Sequence, residues 1–308
     1  VENIFILLIP MALVFALGYY LKRRKLAWMV FGVMTAGFLT LLTVSVLQEM
    51  QPSQVAEKLG IDASAGNLEG KEIRFGAAAS AFWGISTTAT SNGSVNSMHE
   101  SHTPLSGAMQ LLDMMINSFY GGVGVGFINF YVFIILAVFI SGLMVGRTPE
   151  FLGKKVEGRE MKIALIIALL HQFLILAGTA LSAFLFYKNP ELGWLNNPGA
   201  HGFSEMLYEN TSAAANNGSG FEGLADNNPW CNILTGFVLI LGRYLPIVGP
   251  VAIAGLLAGK KYIPESAGTL KTDTFTFGVM VFAVIFIVAA LSFFPALALG
   301  PLAEYFSL

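Results

Sequence analysis

Five runs of this sequence are apolar for long enough to cross a hydrocarbon layer as a helix: Ile4 to Tyr20, Ala27 to Leu47, Phe127 to Val145, Ile163 to Tyr187 and Phe275 to Leu299. A sixth, Trp230 to Ala258, is interrupted only by Arg243. About 20 apolar residues span a bilayer core. Nothing in lipid hydrogen-bonds a bare peptide group, so each span must satisfy its own backbone, which a helix does and an open strand does not. Six such runs predict an all-α polytopic membrane protein. The composition agrees, with 55% hydrophobic and 12% charged residues, about half the charged share of soluble domains. The first run lacks a preceding basic patch and a small-residue cleavage site, so it reads as a span and not as a signal peptide. The chain opens at Val1, almost directly on apolar sequence, and is expected to continue a longer polypeptide. Its one cysteine, Cys231, excludes a disulfide framework and a thiolate cluster.

Charge placement orients the runs. Twelve of the 17 basic residues fall in three segments: Lys22, Arg23, Arg24 and Lys25; Arg147, Lys154, Lys155, Arg159 and Lys162; and Lys260, Lys261 and Lys271. Short loops rich in Lys and Arg stay cytoplasmic. The connections Gln48 to about Leu105 and Lys188 to Pro229 are then expected outside, with both chain ends. That outer set carries four bases against thirteen acids. An acidic mouth concentrates cations and repels anions.

Each outer connection contains the tripeptide Asn-Gly-Ser, at 92–94 and at 217–219. The preceding segments match at the same displacement of 125 positions (92 to 217): "FWGISTTATSNGS" lies over "LYENTSAAANNGS", with Trp83 over Tyr208, Ser86 over Thr211, Thr87 over Ser212 and Ala89 over Ala214. Repeats of this kind are how transporter and channel folds show themselves in sequence. The lead-in segments, Phe75 to Ala89 and Gly202 to Ala215, are too short to span and too rich in apolar and small residues for an exposed loop; they predict re-entrant half-helices. Each ends in a tight strand, Thr90-Ser91-Asn92-Gly93-Ser94 and Asn216-Asn217-Gly218-Ser219. There a glycine permits backbone angles that turn successive carbonyls one way, and rings of carbonyls replace the water shell of a monovalent cation. Two other readings compete. Asn-x-Ser is a glycosylation acceptor, but sugar attachment does not require the matched half-helix. Asn-Gly as a hairpin turn wants alternating strands on both sides, and none are visible.

With the helix, pore-loop, helix unit occurring twice, and with "GRTPEFLGKK" at Gly146 and "LGPLAEYFSL" at Leu299 in place, the sequence resembles the potassium-binding subunit of the bacterial potassium-transporting P-type ATPase, the KdpA family. The words that carry the resemblance are "EGKEIRFG" at Glu69, "TSNGSVNSMHESHTPL" at Thr90, "FYGGVGVG" at Phe119, "AVFISGLMVGRTPEFLGKK" at Ala137, "NPGAHGFSEMLYE" at Asn197, "NNGSGFEGL" at Asn216 and "SFFPALALGPLAEY" at Ser292. They run from end to end. The resemblance implies four helix-pore-helix units around one pore, of which this chain is expected to hold the third and fourth. Residues 1–26 would be the last helix of the second repeat and a cytoplasmic loop, 27–161 the third repeat with a broken second helix, 162–273 the fourth repeat, and 274–308 a final transmembrane helix. It further implies K+ as the transported ion, with no organic cofactor in this chain. The implied partners are a catalytic P-type ATPase subunit (KdpB), KdpC and a small KdpF-type subunit, in the bacterial plasma (inner) membrane, with no nucleic acid. The chain carries neither a G-x-x-x-x-G-K-[ST] phosphate loop nor an Asp-Lys-Thr-Gly-Thr phosphorylation motif. Alternatives are a stand-alone K+ channel or ion-coupled transporter of the same superfamily and, in another class, an integral membrane metal-dependent enzyme using His99, His102 and the outer acids.

Further residues stand out. "GGVGVG" (Gly121, Gly122, Gly124, Gly126) has the wrong spacing for a dinucleotide loop. The stretch from Leu105 to Val145 is too long for one straight crossing. It predicts a helix to about Ser118, a glycine-rich break and a second helix; the break is a candidate gate, or a site of close helix packing. Arg243 sits about 20 Å into its helix at 1.5 Å per residue, a depth at which a charge faces the bundle interior or water. The resemblance puts it near the lower pore; the alternative is an ion pair with Asp113 or a helix carbonyl. "HESH" (His99, Glu100, His102) has only two imidazoles, no third ligand and an external loop position, so it makes a poor metal site; His171 reads as a packing residue. The side chains of Asn217 and Ser219 are expected to brace the filter backbone rather than touch the ion.

Overall fold

The computed structural model describes residues 2–52, 58–121, 125–264 and 270–308. Helices α1 (Glu2–Tyr20) and α2 (Arg24–Glu49) are followed by two shorter ones, α3 (Gly76–Ala89) and α4 (Pro104–Ile116), and then by α5 (Val125–Val145). A two-residue hairpin, β1 (Glu150–Phe151) and β2 (Lys154–Lys155), leads to α6 (Gly158–Lys188), α7 (Gly199–Ala215), α8 (Pro229–Ala258) and α9 (Phe275–Leu297). A π turn at Ala298–Leu302 and a short α10 (Ala303–Ser307) complete the order. Six helices among the described residues are long and apolar enough to cross a membrane: α1, α2, α5, α6, α8 and the α9–α10 run. The protein is an all-α polytopic membrane protein, as the apolar runs predict.

The helices start where local chemistry starts them. Ahead of α6, Glu157 and Glu160 form a reciprocal capping box. Asn228 accepts from the Cys231 N–H at 2.9 Å ahead of Pro229, and Thr274 accepts from the Phe277 N–H at 3.2 Å. These side chains satisfy donors that the first turn of a helix leaves free. Large apolar residues such as Phe173, Phe184, Phe237 and Val251 are exposed on the outer helix faces, where lipid is their solvent. Helices meet through small residues: a Cβ added at Gly242 would fall 2.5 Å from the Ala214 carbonyl oxygen, and one at Gly37 2.2 Å from the Phe119 ring. Lipid gives no hydrophobic push between helices, so close backbone approach takes its place.

Two three-element bodies carry the repeat. Helices α2, α3 and α4 pack on one another, and so do α6, α7 and α8. Both short helices sit in hairpins that enter and return on one side of the molecule. In the first body the chain leaves α2 at Glu49 and comes back to it, because the Thr103 N–H and hydroxyl donate to Glu49 Oε1 at 2.6 and 2.9 Å. In the second it returns beside its own departure, with the Trp230 indole donating to Ser182 Oγ at 3.2 Å and a bridge between Leu195 and Leu224. The predicted half-helices Phe75 to Ala89 and Gly202 to Ala215 are observed as Gly76–Ala89 and Gly199–Ala215. The helix expected to reach Ser118 ends at Ile116, because Asn117 turns left-handed (φ 46°). This hairpin side, which carries most of the acids, is called the acidic face below; the hairpin β1–β2 and Lys260 lie on the basic one.

A buried ion pair closes the first body. Lys71 Nζ lies 2.9 Å from Glu49 Oε2, and both side chains are fully buried. Asn67 Nδ2 donates to the same oxygen at 3.0 Å, and Lys71 also donates to the carbonyls of Glu69 and Ser101 at 3.1 and 3.3 Å. Removing one partner of such a pair strands the other charge, at a cost of about 3–5 kcal/mol, whereas replacing both with apolar groups costs far less. Glu49→Ala in the full-length subunit is therefore expected to lower the melting temperature sharply, and Glu49→Leu with Lys71→Met to recover much of the loss. A double variant no more stable than Glu49→Ala contradicts this.

Candidate functional site

The two Asn-Gly-Ser loops are built by the same bonds at the same displacement of 125 positions. The Asn92 N–H donates to the Thr87 carbonyl at 3.1 Å, and the Asn217 N–H to the Ser212 carbonyl at 2.9 Å. Asn92 Oδ1 accepts from the Ser94 N–H, and Asn217 Oδ1 from the Ser219 N–H, both at 3.1 Å. The Trp83 indole donates to the Ser94 carbonyl at 2.9 Å, where the equivalent Tyr208 bonds Ser219 Oγ at 2.8 Å. Ser91 and Asn216 are both left-handed (φ 51° and 53°), and Gly93 and Gly218 both have positive φ (80° and 106°). Each asparagine folds its own loop into an Asx turn. The sequence repeat is a repeat of hydrogen bonds.

The loops also meet. An added Cβ at Gly93 would lie 2.3 Å from the Asn217 carbonyl oxygen, and one at Gly218 4.0 Å from Gly93 Cα. Asn217 Nδ2 crosses to the Thr87 carbonyl at 2.7 Å, fastening the second loop to the first pore helix. On the other flank Ser91 Oγ donates to Asn117 Oδ1 at 3.2 Å. Yet the carbonyl oxygens of Thr90, Ser91, Asn92, Gly93, Asn216, Asn217 and Gly218 accept no hydrogen bond among the described residues. Seven acceptors on the two contacting loops are left unused; Thr90 and Asn217 are buried, Ser91, Gly93 and Asn216 half-buried, and Asn92 and Gly218 exposed.

A one-way chain of bonds braces the second loop. Asn217 Oδ1 only accepts, so the Ser219 hydroxyl donates to it at 2.7 Å. The Tyr208 hydroxyl must then donate to Ser219 Oγ, and His99 Nδ1–H to the Tyr208 oxygen at 2.9 Å. His99 Nε2 is left buried and without a partner. His102 takes the Gln110 amide on Nδ1 at 2.9 Å and meets Ser97 Oγ through Nε2 at 3.0 Å. Burial first, and neighbouring positive charge second, hold both imidazoles well below the ordinary histidine value. Both rings serve hydrogen-bond networks, so the structure does not join them as a metal site.

Below the loops, the peptides of Gly121 and Gly126 press together: an added Cβ on either would lie within 2.3 Å of the other's nitrogen. Gly122 and Gly124, also read as candidate gate residues, lie outside the described residues. Gly242 abuts the end of α7, and Asn216 Nδ2 reaches the Leu239 carbonyl at 3.3 Å, which puts the neighbouring Arg243 at the level of the second loop. Arg243 makes no hydrogen bond or ion pair among the described residues. Asp113 instead accepts from Thr88 Oγ1 at 2.8 Å, which removes the alternative of an Arg243–Asp113 pair. A small cavity of about 40 Å³ below the loops is lined by Asn117, Asn129, His171, Gln172, Gly242 and Pro246 among others, and Arg243 is not part of its wall.

The family model described as potassium-transporting ATPase A subunit, KdpA, matches residues 1–306. The chain belongs to the KdpA family. It is 67% identical over 311 residues to the potassium-transporting ATPase potassium-binding subunit of Flavobacterium psychrophilum, an alignment covering 98% of this chain and 54% of the relative. The same-named subunit of Geobacillus kaustophilus is 50% identical over 300 residues, covering 97% and 53%. The chain spans about half the length of the curated relatives it matches.

This KdpA-family chain has one group of residues that the sequence does not bring together, although one member, Glu100, stands in the "HESH" motif. Glu100, His201, Glu205 and Glu304 come from three separate stretches and converge on the acidic face. His201 Nδ1 lies 2.8 Å from Glu304 Oε1, and its Nε2 faces Glu100 at 3.4 Å and Glu205 at 3.9 Å. Hydrogen bonding to Glu304 pushes the His201 imidazole up to about 9, and burial pushes the Glu205 carboxyl up to about 7. Only the i,i+4 pair in "HGFSE" was a signal in the sequence; the other two members arrive by tertiary folding.

The loop contacts rank the two glycines. Gly93→Ala meets a backbone oxygen as well as an unfavourable φ, while Gly218→Ala meets only the φ, a conformation that costs roughly 1–2 kcal/mol for an L-residue. In the full-length subunit Gly93→Ala is expected to lower the melting temperature by more than Gly218→Ala. Equal melting temperatures would show that the loops do not touch as described.

Proposed function

We propose that this chain is the K+-selecting half of a potassium-binding subunit, and that Thr90 to Ser94 and Asn216 to Ser219 supply half of a filter built from peptide oxygens. The observation that carries the reading is the set of seven carbonyls without donors, held on two contacting loops whose side chains are spent on bracing. A monovalent cation is bound where carbonyls replace its water at little cost. The side chains of Asn92, Asn217 and Ser219 point their bonds back into the loops, so the backbone is what remains for an ion. The names of the relatives give the ion as potassium. In the full-length protein two further repeats complete the ring, the acidic face is external, and the subunit passes K+ to a P-type ATPase partner (KdpB) in a complex with KdpC and a KdpF-type subunit in the inner membrane. The division into 1–26, 27–161, 162–273 and 274–308 follows from the same reading.

Arg243, with no hydrogen bond or ion pair among the described residues and at the level of the second loop, and the paired peptides of Gly121 and Gly126 stand where the ion must leave. A fixed positive charge there repels K+ and keeps the path from conducting freely. This separates an ATP-driven device from the second reading, a stand-alone channel.

Two experiments on the complete complex test the proposal. Gly93→Asp or Gly218→Asp adds a carboxylate and a Cβ where the loops require neither, and is expected to weaken apparent K+ affinity tenfold or more and to reduce discrimination against Na+ in ATP-driven uptake. Unchanged affinity and Na+ exclusion refute the filter assignment. Arg243→Gln is expected to permit K+ flux into proteoliposomes without ATP; flux that stays ATP-dependent removes Arg243 from the gate. Wild-type uptake without ATP or the partner subunit favours the channel reading.

A further inference from the structure

The group on the acidic face is arranged as a ligand set. His201 and Glu205, four residues apart, share one side of α7. Glu100 projects from the turn His99–Ser101, and Glu304 from α10 beyond the π turn. The Asn197 amide binds Glu100 Oε1 at 2.8 Å and Glu205 Oε1 at 2.6 Å, clamping both carboxylates. Behind them the Gly223 backbone approaches so closely that a Cβ there would fall 2.0 and 2.1 Å from the two carboxylate oxygens.

Three features go beyond a plain charge cluster. While Nε2 stands 3.4 Å from Glu100, the His201 ring is held by the 2.8 Å hydrogen bond from Nδ1 to Glu304. That carboxylate-to-imidazole contact is the one that orients a metal-ligating histidine and leaves Nε2 aimed at the ion. Next, one ligand atom each from Glu100, His201 and Glu205 lies within 4.8 Å of the others. Metal bonds of about 2.0–2.1 Å place tetrahedral ligand atoms about 3.4 Å apart, so a small closure of two glutamate rotamers completes the geometry. Last, Glu205 is fully buried, yet its Oε2 has no hydrogen-bond partner among the described residues. A buried carboxylate oxygen without a donor is costly unless something cationic meets it. The opposite side is open: Glu100, His201, Glu304 and Asn197 line a cavity of about 480 Å³.

We propose that Glu100, His201 and Glu205 bind one divalent transition-metal ion of the Zn2+ class, with Glu304 as the positioning residue for the imidazole. Two carboxylates and one imidazole suit a borderline ion, whereas Mg2+ prefers an all-oxygen shell. The ion takes the place of the Nε2 proton. With three protein ligands it keeps a position open toward the cavity, and it ties the segment after the first loop to the second pore helix and, through His201 and Glu304, to the C-terminal helix. The site is separate from the peptide oxygens of the loops and stands or falls independently of them.

The test is Zn2+ binding to the complete, detergent-purified complex after chelator treatment, read as metal per subunit by elemental analysis and as affinity by titration against a competing chelator. Wild type is expected to hold one Zn2+ per potassium-binding subunit, with Mg2+ failing to displace it. Glu205→Gln is expected to weaken binding at least a hundredfold and Glu304→Gln tenfold to a hundredfold, the usual effect of losing an orienting partner, while Glu72→Gln on the exposed surface changes nothing. Should Glu205→Gln fail to assemble, Glu304→Gln carries the comparison, since it keeps the shape of the side chain. Absence of stoichiometric Zn2+ in wild type, or an affinity that neither substitution alters, overturns the proposal and leaves His201 as the cation of an ion-pair cluster.

Discussion

A peptide carbonyl inside a bilayer has no water to bond with, and leaving it bare costs several kcal/mol unless something else meets it. The architecture depends on that constraint. Six helices satisfy it internally for most of their lengths, interrupted at interior prolines such as Pro10, Pro246 and Pro250. The two loops evade it, because α3 and α7 stop short and the chain turns back with a row of carbonyls unspent. Such a row survives only beside protein or a wet cavity; on the function proposed above, a cation supplies the missing partner. On that reading shape and ion preference share one origin.

Holding carbonyls unspent requires other groups to do the folding. Asn92 and Asn217 close their own turns, the Thr87 carbonyl anchors both loops, and the chain His99 to Tyr208 to Ser219 to Asn217 fixes the second loop from the acidic side. The Glu49–Lys71 pair fastens the hairpin that carries the first. Apart from the Asn92 N–H to Thr87 carbonyl bond, each of these bonds involves a side chain, and none uses the seven loop carbonyls. The asymmetry between the loops is instructive: Trp83 grips a carbonyl, whereas Tyr208 grips a hydroxyl and is itself held by a histidine. One repeat is braced locally and the other across the molecule.

The acidic face joins elements that are remote in sequence. Glu100 follows the first loop, His201 and Glu205 open the second pore helix, and Glu304 lies near the end of the chain. Gathering them mechanically links both loops to the C-terminal helix. The π turn allows it, because Gly300 fits against Ser204 with an added Cβ only 2.7 Å from the hydroxyl. A straight continuation of α9 would carry Glu304 elsewhere.

Much of this was legible in the chain itself. Run length and low charge determine an all-helical membrane protein, because a continuous apolar run of about 20 residues closes its own hydrogen bonds in lipid as a helix. Barrel strands are about half as long and alternate in polarity. The matched half-helices and their Asn-Gly-Ser ends were readable because a short apolar helix followed by glycine has few places to go. Local rules also locate the helix end near Asn117 to within two residues. Contacts between distant residues were beyond such rules. That Gly93 meets Gly218, that Asn217 reaches Thr87, that Asp113 pairs with Thr88 and not with Arg243, and that four acidic-face residues converge are decided by how the two bodies pack. Propensity and spacing act over a few residues, whereas these contacts join segments 25 to 204 positions apart (88 to 113, 100 to 304). Only close packing of whole helices brings such segments within hydrogen-bond reach.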